Sequence, residues 1–91
     1  LAKLNPDLRD KFDIDASIEG VVVTEVVPDS PAAQKGMRAG DVIVEVAQEQ
    51  VRDPKDVAEK VKKAKAAGRK SVLMLVDRQG DLRFVAIKLD G

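Results

Sequence analysis

The side chains that carry out most acid–base, nucleophilic and metal chemistry are missing from this sequence or lack partners. It contains no histidine and no cysteine, which removes Ser-His-Asp triads, Cys-His pairs and the usual zinc ligands. Ser17, Ser30 and Ser71 therefore have no histidine base, and no spacing favours a lysine in that role. No pair of acidic residues lies in an evident apolar pocket. The sequence predicts a chain that is not itself an enzyme and that uses no cofactor.

One acidic segment imitates the opening of a calcium-binding loop, Asp13-Ile14-Asp15-Ala16-Ser17. The calcium pattern requires glycine at its sixth position and glutamate at its twelfth, where this sequence has Ile18 and Thr24. We therefore interpret the segment as a solvated loop and predict no metal site.

The net charge of zero hides an uneven distribution along the chain. Of 16 basic and 16 acidic side chains, residues 55–70 contain seven basic and two acidic ones, a net charge of +5. Such a run fits an anion or acidic-peptide site, or a solvated helix face whose lysines complement the helix dipole, which we favour. Because no aromatic residues interleave with these cations, we predict no nucleic-acid binding. The apolar runs are also too short to span a bilayer, so no membrane insertion is expected.

Caps, prolines and apolar spacing predict the elements that position these residues. Asn5-Pro6, Ser30-Pro31 and Asp53-Pro54 each place a capping residue before a proline, which is typical of a helix start. The pair Asp53-Pro54 begins the longest predicted helix, over residues 54–67, and Gly68 is expected to end it. Strands are predicted at residues 1–4, 21–27, 41–46, 72–77 and 82–89, the last two joined through residues 78–81 as a hairpin.

These elements predict an α+β fold: a small, partly closed β-sandwich or barrel of five to six strands, capped by two to three helices. Residues 1–91 are expected to form a single domain, and the start without methionine suggests a piece of a longer protein. On the third strand, alternation predicts one face for Val42, Val44 and Val46 and the other for Ile43.

The most informative stretch runs from Asp29 to Ile43. It combines a capped short helix of small residues, a stop at Gly36 and a strand entered through Asp41. The sequence Ser30-Pro31-Ala32-Ala33, followed by residues 36–43, resembles the signature of bacterial PDZ domains, and the likeness covers nearly the whole chain. The segment from Leu4 to Phe12 is similar to one in HtrA-type (Do-type) periplasmic serine proteases, most like their C-terminal, second PDZ domain.

The resemblance implies a PDZ-like fold that binds extended or C-terminal peptides by adding a strand to a sheet edge. It places the receiving strand at residues 1–4 and the opposing wall on the helix over residues 54–67. The expected peptide-binding residues are Leu1, Ala2, Lys3, Leu4, Pro54, Ala58 and Val61.

The same resemblance implies further properties of the site and of the parent protein. Small residues on the helix wall predict a preference for an apolar C-terminal residue, and Lys55 and Lys62 at the rim predict an acidic neighbour. The loop that binds the peptide carboxylate is expected at or just before Leu1. Ala47 departs from the family, which often has asparagine there. The implied parent is a periplasmic serine endopeptidase that acts in protein quality control on unfolded or misfolded proteins.

Two alternatives remain open. In the first, the groove is unused, and the domain serves allosteric control or contacts with neighbouring protease or PDZ domains of the parent oligomer. In the second, the owner is another protease: intramembrane zinc proteases and carboxy-terminal processing proteases also carry PDZ domains with this glycine signature. The segment from Leu4 to Phe12 favours the HtrA type.

Overall fold

The computed structural model describes residues 2–15 and 17–89, and these residues form three helices and six strands. The predicted α+β class, with five to six strands and two to three helices, is confirmed. None of the helices in these ranges has the length and apolar character needed to cross a membrane. In chain order the elements are β1 (Ala2–Lys3), α1 (Pro6–Phe12), β2 (Val21–Val22), α2 (Pro31–Gln34), β3 (Val42–Val46), β4 (Glu49–Gln50), α3 (Pro54–Ala66), β5 (Ser71–Arg78) and β6 (Asp81–Lys88).

All six strands belong to one antiparallel sheet. Five of them lie side by side in the order β1, β2, β3, β5, β6, and β4 pairs with β3. The sheet stays open, because β1 and β6 are its edges in the part of the chain that the structure describes. β5 and β6 are joined by only two residues, Gln79 and Gly80, whose φ angles of 51° and 92° are those of a tight hairpin turn.

The three predicted helix starts are confirmed. Asn5 Oδ1 accepts a hydrogen bond from the N–H of Leu8 at 2.8 Å, and Asp53 Oδ1 accepts one from Asp56 at 3.1 Å. Ser30 Oγ caps α2 in the same way at 3.2 Å. These caps act within three residues of the helix start, which is why the sequence predicts them.

The second strand is shorter than predicted. We expected a strand over residues 21–27, but β2 ends at Val22. Val23 still donates its N–H to the carbonyl of Asp41 at 2.8 Å and accepts from Gly40 at 2.7 Å. Residues 24–27 join no strand ladder within the described ranges, so the prediction was wrong beyond Val23.

The predicted face of Val46 on β3 is also wrong, whereas Val42 and Ile43 lie on opposite faces as predicted. Ile43 lies opposite Val76 and Glu45 opposite Leu75, so β3 contains one extra residue between these pairs. Such a bulge reverses the alternation of the residues that follow. Ile43 and Val46 consequently share the main hydrophobic cluster, at 3% and 0% exposure.

The core lies between the sheet and α3, which packs on β3 and β5. Val57 and Ala64 of α3 point into it. Val22 and Val42 are also fully buried, but they do not belong to this cluster. The sheet is therefore buried on both faces at β2 and β3.

Candidate functional site

β1 is an edge strand with one free side. Its Ala2 and Lys3 pair with Val22 and Val21 of β2, and no described residue pairs with its other side. An unpaired edge presents a row of N–H and C=O groups to an incoming strand. Leu4 follows β1 and is half-buried, whereas Leu1 lies outside the described residues.

The helix α3 has three distinct sides. Its core side carries Val57 and Ala64. A second side carries Lys60, which forms an ion pair with Glu49 beside the β3–β4 turn; this hydrogen bond holds the pKa of Glu49 below its ordinary value. The third side carries the three predicted wall residues at helical spacing i, i+4 and i+7: Pro54 and Val61, which are half-buried, and Ala58, which is exposed.

An apolar cavity of about 270 Å³ lies between the segment that follows β2 and the beginning of α3. Because β1 and β2 are antiparallel, this segment lies beyond the amino end of β1. The sequence analysis missed this cavity because it extended β2 to Val27. The sequence feature that could have indicated the cavity is the apolar run that continues past the strand to Val27, which is 67% exposed. The residues that line this apolar cavity include Val23, Val26, Val27, Met37, Val57 and Met74.

A second cavity of about 270 Å³ lies at the opposite, carboxyl end of β1, and we call it the basic cavity. The sequence provides no sign of it, because its residues come from four separate segments. Arg9 donates from its guanidinium to the carbonyl of Asp15 at 2.8 Å, which helps to hold that side chain in place. The basic cavity is lined by three cations and one carboxylate, with two further residues: Lys3, Arg9, Arg52, Glu19, Leu4 and Gly20.

In the segment that imitates a calcium-binding loop, hydrogen bonds join Asp15 to Ser17. Asp15 accepts hydrogen bonds from both the N–H and the hydroxyl of Ser17 at 2.8 Å, and these bonds lower the pKa of Asp15. Asp13 ends α1 in the left-handed conformation, with φ 55°. Within residues 2–15 and 17–89, no group of three acidic side chains is arranged to hold a metal ion.

The aspartate of the glycine signature has a structural role. Asp41 is 2% exposed and accepts two hydrogen bonds from the Arg78 guanidinium, both at 2.8 Å. Arg78 also donates to the carbonyl of Gly36 at 2.8 Å, and the N–H of Arg38 donates to Asp41 at 3.0 Å. Burial raises the pKa of Asp41, but these bonds outweigh burial and hold the pKa below its ordinary value. The network ties the loop after α2 to the end of β5.

Known proteins resemble this chain in sequence and in fold. The family model of the PDZ domain matches residues 22–78. Proteins named "Probable periplasmic serine endoprotease DegP-like" from Bartonella henselae and Brucella suis are 46% and 43% identical, over 77% and 79% of this chain. The chain spans 14% of the length of each. A solved structure, the HtrA3 PDZ domain bound to a phage-derived ligand (FGRWV), has a TM-score of 0.72 at 28% identity, covering 96% of this chain and 76% of that one.

The family match covers more than half of the chain, and it includes the last residue of β2, the glycine signature and the whole of α3. The predicted resemblance is thereby confirmed: this chain belongs to the PDZ domain family and matches the PDZ domains of HtrA-type serine proteases.

Proposed function

We propose that this chain is the noncatalytic, peptide-binding module of an HtrA-type serine protease in the bacterial periplasm. The names of the bacterial relatives support this parent and this compartment. The absence of histidine and cysteine from the chain is consistent with a catalytic centre elsewhere in the parent. As a module of a quality-control protease, it would bind segments of unfolded or misfolded proteins.

The observation that carries the proposal is the free edge of β1 between two cavities of opposite character. Every strand pair in the sheet is antiparallel, so a peptide that adds to β1 in this orientation continues the pattern. The carboxyl end of such a peptide then lies at the amino end of β1, beside the apolar cavity. An apolar C-terminal side chain is the group that this cavity would accept.

The wall residues of α3 line neither cavity, and in this proposal they form the side of the groove that faces β1. Pro54, Ala58 and Val61 have small side chains, which leave room for a bulky peptide residue, and the exposed Lys55 and Lys62 would lie near the rim. The ligand of the HtrA3 domain, FGRWV, ends in valine, which supports the same preference. Backbone N–H groups at or before Leu1 would hold the carboxylate, as the family resemblance implies.

Ala58→Glu tests this groove. We expect a peptide with a free apolar C-terminus to bind at least about tenfold tighter, or about 1.4 kcal/mol, than its amidated or lysine-ended counterpart. The glutamate side chain would fill the wall and place a charge beside apolar peptide groups, so affinity should fall by at least about tenfold. Isothermal titration calorimetry of the chain and of the full-length gene product measures both effects.

The control for this experiment is Ala66→Glu, the same change at an exposed position of α3 away from the wall residues. It should leave peptide affinity nearly unchanged. Equal affinity for the three peptides, or equal loss in the two variants, would contradict strand addition at this groove.

An exposed apolar surface favours assembly as a second function. Leu73 lies on β5, and Leu82 and Phe84 lie on β6, the free edge strand; they are 38%, 59% and 64% exposed. Their alternate positions and the pairing of Leu75 with Phe84 put these side chains on one face of the hairpin. Exposed apolar clusters on an edge strand are typical of protein–protein contacts. This surface would contact neighbouring protease or PDZ domains of the parent oligomer.

Phe84→Glu tests the second function. We expect it to lower the sedimentation coefficient of the full-length gene product by releasing subunits, because the new carboxylate would be buried without a partner in the contact. Peptide affinity should not change. Ala58→Glu is the matched comparison: it should lower peptide affinity and leave the sedimentation coefficient unchanged. An unchanged sedimentation profile for Phe84→Glu would rule out this face as an assembly surface.

A further inference from the structure

We propose that the basic cavity is a subsite for acidic side chains in the amino-terminal part of the bound peptide. This inference rests on the proposed function, because it assumes a peptide strand on β1. It assigns a role to Lys3, Arg9 and Arg52, which neither the sequence patterns nor the fold requires.

The position of the basic cavity follows from the direction of the peptide strand. An antiparallel peptide with its C-terminus at the amino end of β1 runs its upstream residues past Lys3 and Leu4. Both residues line the basic cavity, and Arg52 approaches it from the segment just before α3. At about 3.3 Å per residue, side chains roughly three to five residues before the peptide C-terminus reach this end of β1.

The charge of the basic cavity selects the ligand. Three cations and one carboxylate line it, in a chain whose net charge is zero. Within the described ranges the close ion pairs are Lys60–Glu49 and Arg78–Asp41, so none of the three cations is in direct contact with a carboxylate there, although the charge of Arg9 helps to lower the pKa of Asp15. With three cations against one carboxylate, the lining of the basic cavity has a net charge of +2. A peptide carboxylate is attracted to this charge, whereas a lysine side chain is repelled by it.

The mixed origin of the cations favours a peptide over a compact inorganic anion. Lys3 is on the strand, Arg9 on α1 and Arg52 on the approach to α3, so they surround an opening at the end of the groove. The two arginines can each bind a carboxylate with two hydrogen bonds. An extended chain that carries two acidic residues can reach these cations from β1 without leaving the groove.

Three peptides test the subsite. They share one apolar C-terminal residue and differ at the fourth and fifth positions before it, which are both glutamate, both glutamine or both lysine. We expect the glutamate peptide to bind about five- to tenfold tighter than the glutamine peptide, since exposed ion pairs contribute about 0.2–1 kcal/mol each. The lysine peptide should bind most weakly. Raising ionic strength to about 1 M, where charges are screened within about 3 Å, should remove the difference.

Arg52→Glu should reverse the order of the glutamate and lysine peptides. Arg83→Glu is the control: it makes the same change in net charge on an exposed residue of β6, at the opposite edge of the sheet. Fluorescence polarisation is measured with whichever form binds the glutamine peptide, the chain or the full-length gene product. Loss of the preference in both variants alike would show that overall charge selects the peptide, and would overturn the subsite.

The outcomes separate this inference from the proposed function. If the glutamine peptide binds and the glutamate peptide binds no tighter, the subsite is wrong while strand addition stands. If none of the three peptides binds to either form of the protein, strand addition itself is wrong, and the subsite falls with it.

Discussion

Asp41→Asn is expected to destabilise the fold by about 3 kcal/mol. Asp41 is 2% exposed and holds Arg78 through two hydrogen bonds, so the variant leaves a guanidinium without its counter-charge. Breaking a buried ion pair from one side costs about 3–5 kcal/mol, and Arg78 keeps 27% of its side chain exposed, which favours the lower end. For a domain of this size, the melting temperature should fall by about 12–24 °C.

Asp77→Asn is the matched control, because Asp77 is also an aspartate that is nearly fully buried, at 3% exposure. It lies on β5 opposite Val42, the residue that follows Asp41. One of its carboxylate oxygens accepts from the N–H of Gly80 at 3.1 Å, and the other has no partner among the described residues. Removing this charge leaves no cation uncompensated, so the free energy of unfolding should change by less than about 1 kcal/mol or increase. Urea unfolding of both variants measures the difference. Equal losses would mean that the Asp41–Arg78 pair is not the cause.

Acid should abolish the difference between the wild type and Asp41→Asn. The folded state holds the pKa of Asp41 below its ordinary value of 3.8, so the unfolded chain takes up the proton first as the pH falls. The stabilisation is therefore fully present above about pH 5 and is lost as the pH falls through the lower, folded pKa. Urea titrations from neutral pH down to about pH 3 should show the two unfolding free energies converging.

Local features of this fold were predictable, and the reason is distance along the chain. Asn5, Ser30 and Asp53 each cap a helix through an N–H three residues away, so a short window contains the whole interaction. The long helix α3, which begins after its Asp53 cap, was predicted for the same reason. Its amphipathic spacing is complete within the segment that forms it.

Features set by pairing between distant segments were not predictable. The bulge in β3 arises where that strand meets β5, and it reverses the side chains after Ile43. Asp41 stood out in the sequence, but its partner Arg78 is 37 residues away. Nor does Ala47-Gln48 signal the tight turn between β3 and β4, where φ angles of 53° and 67° normally favour asparagine and glycine. The bulge and the Asp41–Arg78 pair both depend on a topology that brings distant segments together.

The candidate site divides in the same way. The resemblance indicated β1 and the wall residues of α3, because the motif spacing is carried by the sequence. The two cavities at the ends of β1 were missed. The apolar cavity depends on where β2 stops, and the basic cavity combines Lys3, Arg9 and Arg52 from separate segments. The sequence already predicted an apolar C-terminal residue and an acidic neighbour, but the two cavities, and the acidic subsite proposed at the carboxyl end of β1, became visible only in three dimensions.

Gly20→Ala is expected to cost about 3 kcal/mol and to remove the proposed peptide-binding edge. Gly20 precedes β2 with a φ of 156°, and a Cβ there would lie 2.3 Å from the carbonyl oxygen of Ile43 and 2.9 Å from Cγ1 of Val42. The first contact is with backbone, which cannot rotate aside, so β2 must move away from β3. Overpacking costs about 1–3 kcal/mol, and the rigidity of this contact favours the upper end.

Gly68→Ala separates the collision from the backbone cost. Gly68 has a φ of 78°, and nothing lies within 4 Å of a Cβ built there. This variant should therefore lose only about 1 kcal/mol, the cost of alanine in a conformation that glycine adopts freely. Thermal unfolding and peptide titration of both variants should show a large loss of stability and affinity for Gly20→Ala alone. Because β2 is the only described strand that holds β1, equal peptide affinity in the two variants would contradict a binding edge on β1.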